Sequence, residues 1–160
     1  MKDASKAFVI SRLNGEHYAW GMDCDGWHLV KDSSLSIIEE CMPPGTAELW
    51  HYHRKAQQFF FVLSGRAVME VEGDVVELAC GDGVRVLAGQ RHQIRNESNE
   101  PVRFLVISQP PSHGDRITDL CPELAGSDFP ATFGENTCPN PTIRRQIPYV
   151  PPKEPDSSSS

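Results

Sequence analysis

The sequence has no long apolar run and no patch of basic residues. No stretch approaches the ~18 apolar residues of a membrane-spanning helix, and the opening MKDASKAFVISRLNGEH lacks the ~7–15-residue apolar core of a secretory signal. The 15 Lys and Arg residues are outnumbered by 22 Asp and Glu and gather nowhere, whereas non-specific nucleic-acid binding depends on clustered positive charge. We therefore expect a cytoplasmic protein that binds neither membranes nor nucleic acid.

Paired cysteine spacings are also absent. A disulfide framework or a structural zinc site normally shows such pairs, for example CxxC. The five cysteines lie far apart, at Cys24, Cys41, Cys80, Cys121 and Cys138. We expect free thiols in a reducing compartment, although Cys121 and Cys138 are close enough in sequence to pair.

Proline is scarce in the first two thirds of the chain and abundant afterwards. Ten of the 13 prolines follow residue 109, and the chain ends in PPKEPDSSSS. Such a composition buries too little apolar surface to offset the entropy of ordering. We expect residues 1–109 to form a β-barrel with an N-terminal strap. Residues 110–150 should form an irregular C-terminal extension that wraps the barrel, and residues 151–160 should be disordered.

The first 109 residues show an apolar alternation with a period of two, which indicates β-strands. No convincing helical pattern lies between the alternating segments, and a hairpin turn is expected at Gly73-Asp74. Short antiparallel strands at such spacing predict an all-β sandwich or barrel. The expected strands are 35–42, 46–53, 58–64, 66–79, 83–88, 93–97 and 102–108.

Two histidines lie two residues apart in the expected strand 46–53. Residues i and i+2 of a strand share a face, so the imidazoles of His51 and His53 should lie side by side, with Ala47 and Leu49 on the same face. Neutral imidazole is the commonest metal ligand. Two histidines on a solvent-exposed face of a strand would show the same sequence pattern. This pair alone therefore fits either a metal site or an exposed surface.

The wider spacing around this pair is more specific. Over about fifty residues it resembles the two sequence motifs of the cupin superfamily, G(x)5HxH(x)3–4E(x)6G and G(x)5PxG(x)2H(x)3N. The usual Pro is Leu87 in this chain, which affects a turn. The positions that carry the resemblance are Gly45, His51, His53, Gln58, Gly65, Gly81, Gly89, His92 and Asn96.

The resemblance implies an antiparallel double-stranded β-helix, a jelly-roll barrel, with one divalent metal ion inside. Carried over position by position, the implied ligands are His51, His53, Gln58 and His92. Gln57 competes with Gln58 because the first motif tolerates either gap, but only Gln58 keeps the six-residue interval to the following glycine. Nitrogen and oxygen ligands do not select among zinc, manganese, iron, nickel and cobalt.

Gln58 stands where the cupin motif usually has Glu. A neutral amide leaves the charge of the ion uncompensated, so the ion would polarise a bound oxygen more strongly. We therefore predict a metal-dependent enzyme that catalyses the isomerisation or tautomerisation of a small polar metabolite, or an elimination from it. The expected substrate is of the sugar-acid or keto-acid type. An Fe(II)-dependent cupin dioxygenase is one alternative, and a non-catalytic metal-containing binding module is another.

The substrate contacts are less well defined by the sequence. Phe60 shares a face with Gln58 and is expected to line the cavity, Arg85 and Arg95 are candidates to clamp an anionic substrate, and His113 follows the last expected strand at the rim. No catalytic acid or base is assigned, because the faces of the candidate residues are not fixed. Those candidates are Glu39, Glu40, Glu70, Glu72, Glu77, Arg85, Arg95 and Tyr52, of which Tyr52 should point out of the barrel by parity with His51.

Three consecutive phenylalanines, Phe59 to Phe61, make one expected strand apolar on both faces. A strand of this kind is normally covered on both sides. We expect its outer face to be covered by a second subunit in a homodimer or by the C-terminal extension.

Overall fold

The computed structural model describes residues 6–118, which form eleven strands and no helix. The prediction of an all-β antiparallel fold is confirmed. This part of the chain accordingly contains no helix that is long and apolar enough to cross a membrane. The strands are β1 (Glu16–Trp20), β2 (Cys24–Lys31), β3 (Ser36–Met42), β4 (His51–His53), β5 (Gln57–Ser64), β6 (Ala67–Val71), β7 (Asp74–Leu78), β8 (Gly83–Val86), β9 (His92–Arg95), β10 (Val102–Gln109) and β11 (Arg116–Thr118).

The strands form two antiparallel sheets that face each other. The first sheet has the order β1-β2-β3-β10-β5-β8 and the second β11-β4-β9-β6-β7. Every second residue of β10 is buried, as expected where one face of a strand packs on a core. Val62, Phe104, Met69 and Ile94 are among the fully buried side chains between the sheets, and each buried CH₂ contributes roughly 0.8 kcal/mol.

The segment expected to be an N-terminal strap contains a β-hairpin. Strand β1 pairs with β2, and β2 pairs with β3, so the hairpin extends the first sheet by two strands. Sequence periodicity did not reveal β1, because its residues are exposed or only half-buried. The added strands form part of the cavity wall described below.

The expected strand 66–79 divides into β6 and β7 at a tight turn. Glu72 and Gly73 both have left-handed backbone angles, with φ of 50° and 89°, as a two-residue hairpin turn of type I′ requires. The turn therefore lies one residue before the expected Gly73-Asp74 position. Gly65, between β5 and β6, has a φ of 79°, and a Cβ there would lie 2.6 Å from the carbonyl oxygen of Pro101, so this motif glycine has a structural role.

The expected strand 46–53 is regular only at its end. Ala47 makes an isolated bridge with Arg95, and the backbone is irregular from there to His51. Ala47 and Leu49 are exposed whereas His51 and His53 are buried. The expectation that all four share one face was wrong, because the irregular backbone breaks the alternation.

Only the first part of the predicted C-terminal extension falls within the described residues. There, β11 pairs with β4, so Arg116 lies opposite His53. The remainder of the predicted wrapping segment, the predicted tail, and Cys121 and Cys138 lie outside residues 6–118. The domain boundaries and the homodimer stay predictions, while Cys24, Cys41 and Cys80 are free thiols.

Candidate metal centre

Three histidines converge on the inner face of the second sheet. His51 and His53 lie on β4, and His92 begins β9 directly opposite His51. One nitrogen from each imidazole lies within 4.8 Å of the other two. The ring centroids of His51 and His92 are 4.2 Å apart, and those of His51 and His53 are 5.0 Å apart.

Backbone carbonyls orient two of the three rings. The Nδ1 of His51 donates to the carbonyl oxygen of Leu49 at 2.8 Å, and the Nδ1 of His92 donates to that of Gln90 at 2.9 Å. These bonds leave the Nε2 lone pairs free to bind a metal, as in typical metal-ligating histidines. Both nitrogens of His53 are buried and have no hydrogen-bond partner among the described residues.

The donor set fits a divalent cation. A buried polar group without a partner costs about 1–3 kcal/mol, so the arrangement of His53 is unfavourable unless something binds its nitrogen. The pKa values of His51, His53 and His92 are lowered to about 4, mainly by burial, with a smaller contribution from Arg116 for His51 and from the neighbouring rings for His53 and His92. All three are therefore neutral near pH 7, which is the form that binds metal.

Gln58 approaches this cluster from the opposite sheet. Its side chain is buried, its Nε2 donates to the hydroxyl of Ser108 at 3.1 Å, and its Oε1 lies 3.0 Å from the Nε2 of His92. Gln57 instead lies on the outer face, where its Oε1 accepts from the guanidinium of Arg85. The geometry therefore places Gln58, and not Gln57, beside the three histidines.

A cavity of about 520 Å³ opens next to the histidines. Glu48 projects into it, with Oε1 3.8 Å from the Nε2 of His51 and 3.1 Å from the Nη1 of Arg116. Its Oε2 is buried without a hydrogen-bond partner in the described part of the chain. Burial raises the pKa of Glu48, an effect that Arg116 opposes.

The first sheet supplies a second acidic group to the cavity. Tyr18 donates from its hydroxyl to the Oε1 of Glu40 at 2.7 Å, and both residues line the cavity. Burial, with a smaller effect of Glu48, raises the pKa of Glu40 to about 8. Burial also raises the pKa of Tyr18. The cavity therefore combines three neutral imidazoles with two half-buried carboxyl groups.

The expected substrate contacts divide into two groups. Phe60 and His113 line the cavity, and the Phe60 ring meets that of His92 edge-on at 5.8 Å. Arg85 lies on the outer face against Gln57, so the structure does not bring it to the cavity. Arg95 is also placed elsewhere, because its buried guanidinium pairs with Glu70 and Glu97.

Most of the candidate acids from the sequence lie away from the cavity. Of these, only Glu40 lines it, and Tyr52 lies between two inward-facing histidines on β4, as parity predicted. The remaining acidic candidates bond to groups elsewhere in the fold: Glu39 to Arg103, Glu70 to Arg95, Glu77 to Arg66, and Glu72 to the backbone of Arg91.

Glu48, Tyr18 and Arg116 line the site but were not among the residues expected from the sequence. By parity with His51, Glu48 should point outward, and only the irregular backbone at 48–50 turns it inward. Tyr18 belongs to a strand that the periodicity did not reveal. Arg116 follows shortly after His113, which the sequence places at the rim of the barrel, and this proximity is the only sign in the sequence that Arg116 could reach the site.

A jelly-roll barrel with three convergent histidines that could hold a metal ion is the arrangement expected of a cupin. Comparison with known sequences gives the same assignment: the chain belongs to the cupin superfamily, and the Cupin domain family matches residues 38–108. An uncharacterised protein of Methanocaldococcus jannaschii is 30% identical over 89 residues, which span 55% of this chain and 71% of that protein.

Two further relatives have descriptive names. The tetracenomycin polyketide synthase protein TcmJ of Streptomyces glaucescens is 32% identical over 90 residues, which span 54% of this chain and 60% of TcmJ. Among solved structures, a sugar phosphate isomerase of the cupin superfamily from Silicibacter pomeroyi superposes with a TM-score of 0.56 and 21% identity. That match covers 64% of this chain and 76% of the isomerase, and it shows the shared fold.

Proposed function

We propose that the protein is a metal-dependent enzyme that catalyses the isomerisation or tautomerisation of a small polar metabolite of the sugar-acid or keto-acid type, or an elimination from it. The observation that carries the proposal is the placement of the Glu48 carboxyl beside three convergent, neutral histidines in one cavity. His51, His53 and His92 would hold a divalent ion, with Gln58 as the fourth ligand. When bound, such an ion supplies a Lewis acid that polarises a carbonyl or hydroxyl oxygen.

The cavity also contains the proton-transfer group that these reactions require. Isomerisation and elimination need a side chain that takes a proton from one atom and returns it to another. The Oε2 of Glu48 accepts no hydrogen bond from the described residues, so it is free to face a substrate C–H or O–H group. Arg116 holds the other oxygen of Glu48 and brings a positive charge to the same wall, which favours an anionic substrate.

The alternatives have less support from this arrangement. A binding module needs no acid beside the metal ligands, yet Glu48 is turned inward there. A dioxygenase would use the same three histidines, but Glu48 would then lack an evident role. The isomerase from Silicibacter pomeroyi supports the proposal only to the extent that a barrel of this fold can house such chemistry, because fold alone does not select a reaction.

The test is hydrogen exchange at carbon. Protein loaded separately with zinc or manganese is incubated in D₂O with a panel of uronic, aldonic and 2-keto acids, and deuterium incorporation is followed by proton NMR. We expect exchange next to the carbonyl of at least one acid. We expect Glu48→Gln to lower its rate at least about 100-fold, the usual size of general acid–base catalysis.

Two controls separate the explanations. Metal content measured by elemental analysis should be the same in Glu48→Gln as in the wild type, and Glu77→Gln, which changes an exposed carboxylate paired with Arg66, should leave the exchange unchanged. Binding of the acids without exchange would favour the binding module. Oxygen consumption by anaerobically iron-loaded protein would favour the dioxygenase.

A further inference from the structure

Three neighbouring strands place Tyr18, Gly26 and Glu40 in one row across the first sheet. Tyr18 on β1 is opposite Gly26 on β2, and Gly26 is opposite Glu40 on β3. Side chains directly opposite each other in an antiparallel sheet share a face. Tyr18 must therefore reach across β2 to touch Glu40, two strands away.

Gly26 makes this reach possible. A Cβ on Gly26 would lie 2.3 Å from Cζ and 2.6 Å from the hydroxyl oxygen of Tyr18, so any larger residue would collide with the ring. The phenol instead lies against the bare backbone of β2, and its hydroxyl meets Glu40 at 2.7 Å. The contact depends on matched residues on three strands.

This pair faces the cavity from the sheet opposite the histidines. Glu40 and Tyr18 belong to the first sheet, whereas His51 and His92 belong to the second. Two more polar atoms on the wall formed by the hairpin, the Nε1 of Trp20 and the Nδ1 of His28, are buried without hydrogen-bond partners within residues 6–118. Groups of this kind are normally satisfied, so this wall is suited to bind the polar atoms of a ligand.

We propose that the Tyr18–Glu40 pair is a second binding point, which holds an uncharged hydroxyl or carbonyl oxygen of the substrate while another oxygen lies at the histidines. The identity of the group at the histidines rests on the proposed function. The ligand class is therefore an acid that carries hydroxyl or carbonyl groups along its chain, rather than a simple aliphatic acid.

A count of hydrogens explains how the pair binds such an oxygen. A protonated carboxyl and a phenol have two O–H hydrogens, and the bond between Glu40 and Tyr18 uses one. The other can be donated to the ligand. If Glu40 is ionised, the only hydrogen belongs to the phenol and is already bonded to the carboxylate.

The surroundings of Glu40 favour the protonated form near neutral pH. Its pKa is raised to about 8 by burial and by Glu48, and this rise is opposed by the hydrogen bond from Tyr18 and by the charge of Arg116. The other titratable groups on the hairpin wall are Glu16, Lys31 and His28, and the pKa of His28 is lowered by burial and by the charge of Lys31. Binding through the donated hydrogen should be present below this pKa and lost as the pH rises through it.

The experiment compares 5-oxohexanoate with hexanoate by calorimetric titration. Both are six-carbon acids, but only 5-oxohexanoate has a carbonyl oxygen for the second binding point, and this oxygen can accept a hydrogen bond but has no hydrogen to donate to an ionised Glu40. At pH 6 we expect the wild type to bind 5-oxohexanoate about tenfold more tightly, the value of one good hydrogen bond, and to lose this preference by pH 9. Equal affinity for the two acids at pH 6 would overturn the proposal.

Two variants identify the groups responsible. The double substitution Tyr18→Phe with Glu40→Leu removes both O–H groups and should abolish the preference while leaving hexanoate affinity unchanged. Glu40→Gln keeps an N–H donor without a titrating group, so the preference should persist from pH 6 to pH 9. A preference that survives the double substitution, or a pH dependence that survives Glu40→Gln, would contradict the proposal. Glu39→Gln, on the opposite face of β3, is the matched control.

Each titration is made with metal-free and with zinc-loaded protein. A wild type that binds no zinc would contradict the proposed function, while the preference of the metal-free protein for 5-oxohexanoate would still test the second binding point. The two conclusions can therefore fail separately.

Discussion

The Oε1 of Gln58 and the Nε2 of His92 face each other at 3.0 Å across the two sheets. His92 donates from Nδ1 to the carbonyl of Gln90, so its Nε2 carries a lone pair in the neutral ring. Gln58 is oriented by the bond from its Nε2 to Ser108, which directs its carbonyl oxygen inward. Two acceptors at this distance repel each other, and a cation bound between them would turn the repulsion into ligation.

Gln58→Glu should strengthen metal binding and weaken catalysis. The new carboxylate adds a negative charge to the site, and its second oxygen can accept a hydrogen bond from the Ser108 hydroxyl. We expect zinc affinity to rise about tenfold or more, with slower deuterium exchange because the charge of the ion is partly neutralised. Competition with a chelator measures the affinity. Unchanged or weaker zinc binding would argue against Gln58 as a ligand.

His53→Ala should abolish metal binding at little cost to the metal-free fold. Removal of the ring leaves a small cavity, but it also removes two buried nitrogens that lack hydrogen-bond partners in the described structure. We expect zinc affinity to fall about 100-fold or more, and the free energy of unfolding of the metal-free protein to change by less than about 1 kcal/mol. His17→Ala, which alters an exposed histidine paired with Asp25, is the control. Zinc affinity retained in His53→Ala would contradict the assigned site.

Arg95→Met should destabilise the barrel without affecting metal binding. The guanidinium is only 8% exposed and pairs with Glu70 and Glu97. Removal of one member of a buried ion pair costs about 3–5 kcal/mol, and the partial exposure of Glu97 places the expected loss near the lower value. Urea unfolding and zinc titration test the two parts. Full stability combined with lost substrate binding would instead support the role expected from the sequence, in which Arg95 clamps an anionic substrate.

Glu40→Gln should remove one source of pH-dependent stability. The pKa of Glu40 is raised to about 8 in the folded protein, so between about pH 4.5 and 8 the native state keeps a proton that the unfolded state has lost. Stability from this group therefore falls as the pH rises through that window, with each tenfold change in proton affinity worth about 1.4 kcal/mol. The difference in Tm between Glu40→Gln and the wild type should grow in favour of the variant from pH 5 to pH 8. Parallel Tm curves would contradict the shifted pKa.

Gly26→Ala should be destabilising only while the Tyr18 ring is present. The added methyl group would meet the ring at 2.3–2.6 Å, and relief of such overpacking costs about 1–3 kcal/mol. In a Tyr18→Ala background the same substitution should cost much less. A double-mutant cycle in urea measures this coupling, and additive effects would show that the ring does not depend on Gly26.

The histidine cluster was predictable because it obeys short-range rules. His51 and His53 share a face through strand alternation, and the spacing to Gln58 and His92 matches a known motif. Alternation also predicted the strand at 102–108, which the structure has as β10 with every second residue buried. In such regions the sequence pattern and the final burial have the same cause, because every second side chain meets the opposite sheet.

The remaining cavity wall was not predictable because it depends on local irregularity and on distant pairing. Glu48 faces inward only because the chain departs from strand geometry before His51. Tyr18 reaches Glu40 through a contact between residues 22 positions apart in sequence, and the strand that carries it has no fully buried residue. Arg95 was a candidate to clamp an anionic substrate, and only the fold shows the two carboxylates that pair with it.

The hairpin of β1 and β2 joins the barrel along a single edge, against β3, yet it supplies Tyr18, Trp20 and His28 to the cavity. The strands that carry the histidines belong to the other sheet and make no strand pairing with it. In the function proposed above, the groups that select the substrate and the groups that react with it are therefore encoded in separate stretches of sequence. Grafting a different hairpin onto that edge should change which ligands the cavity accepts while the histidine cluster stays intact.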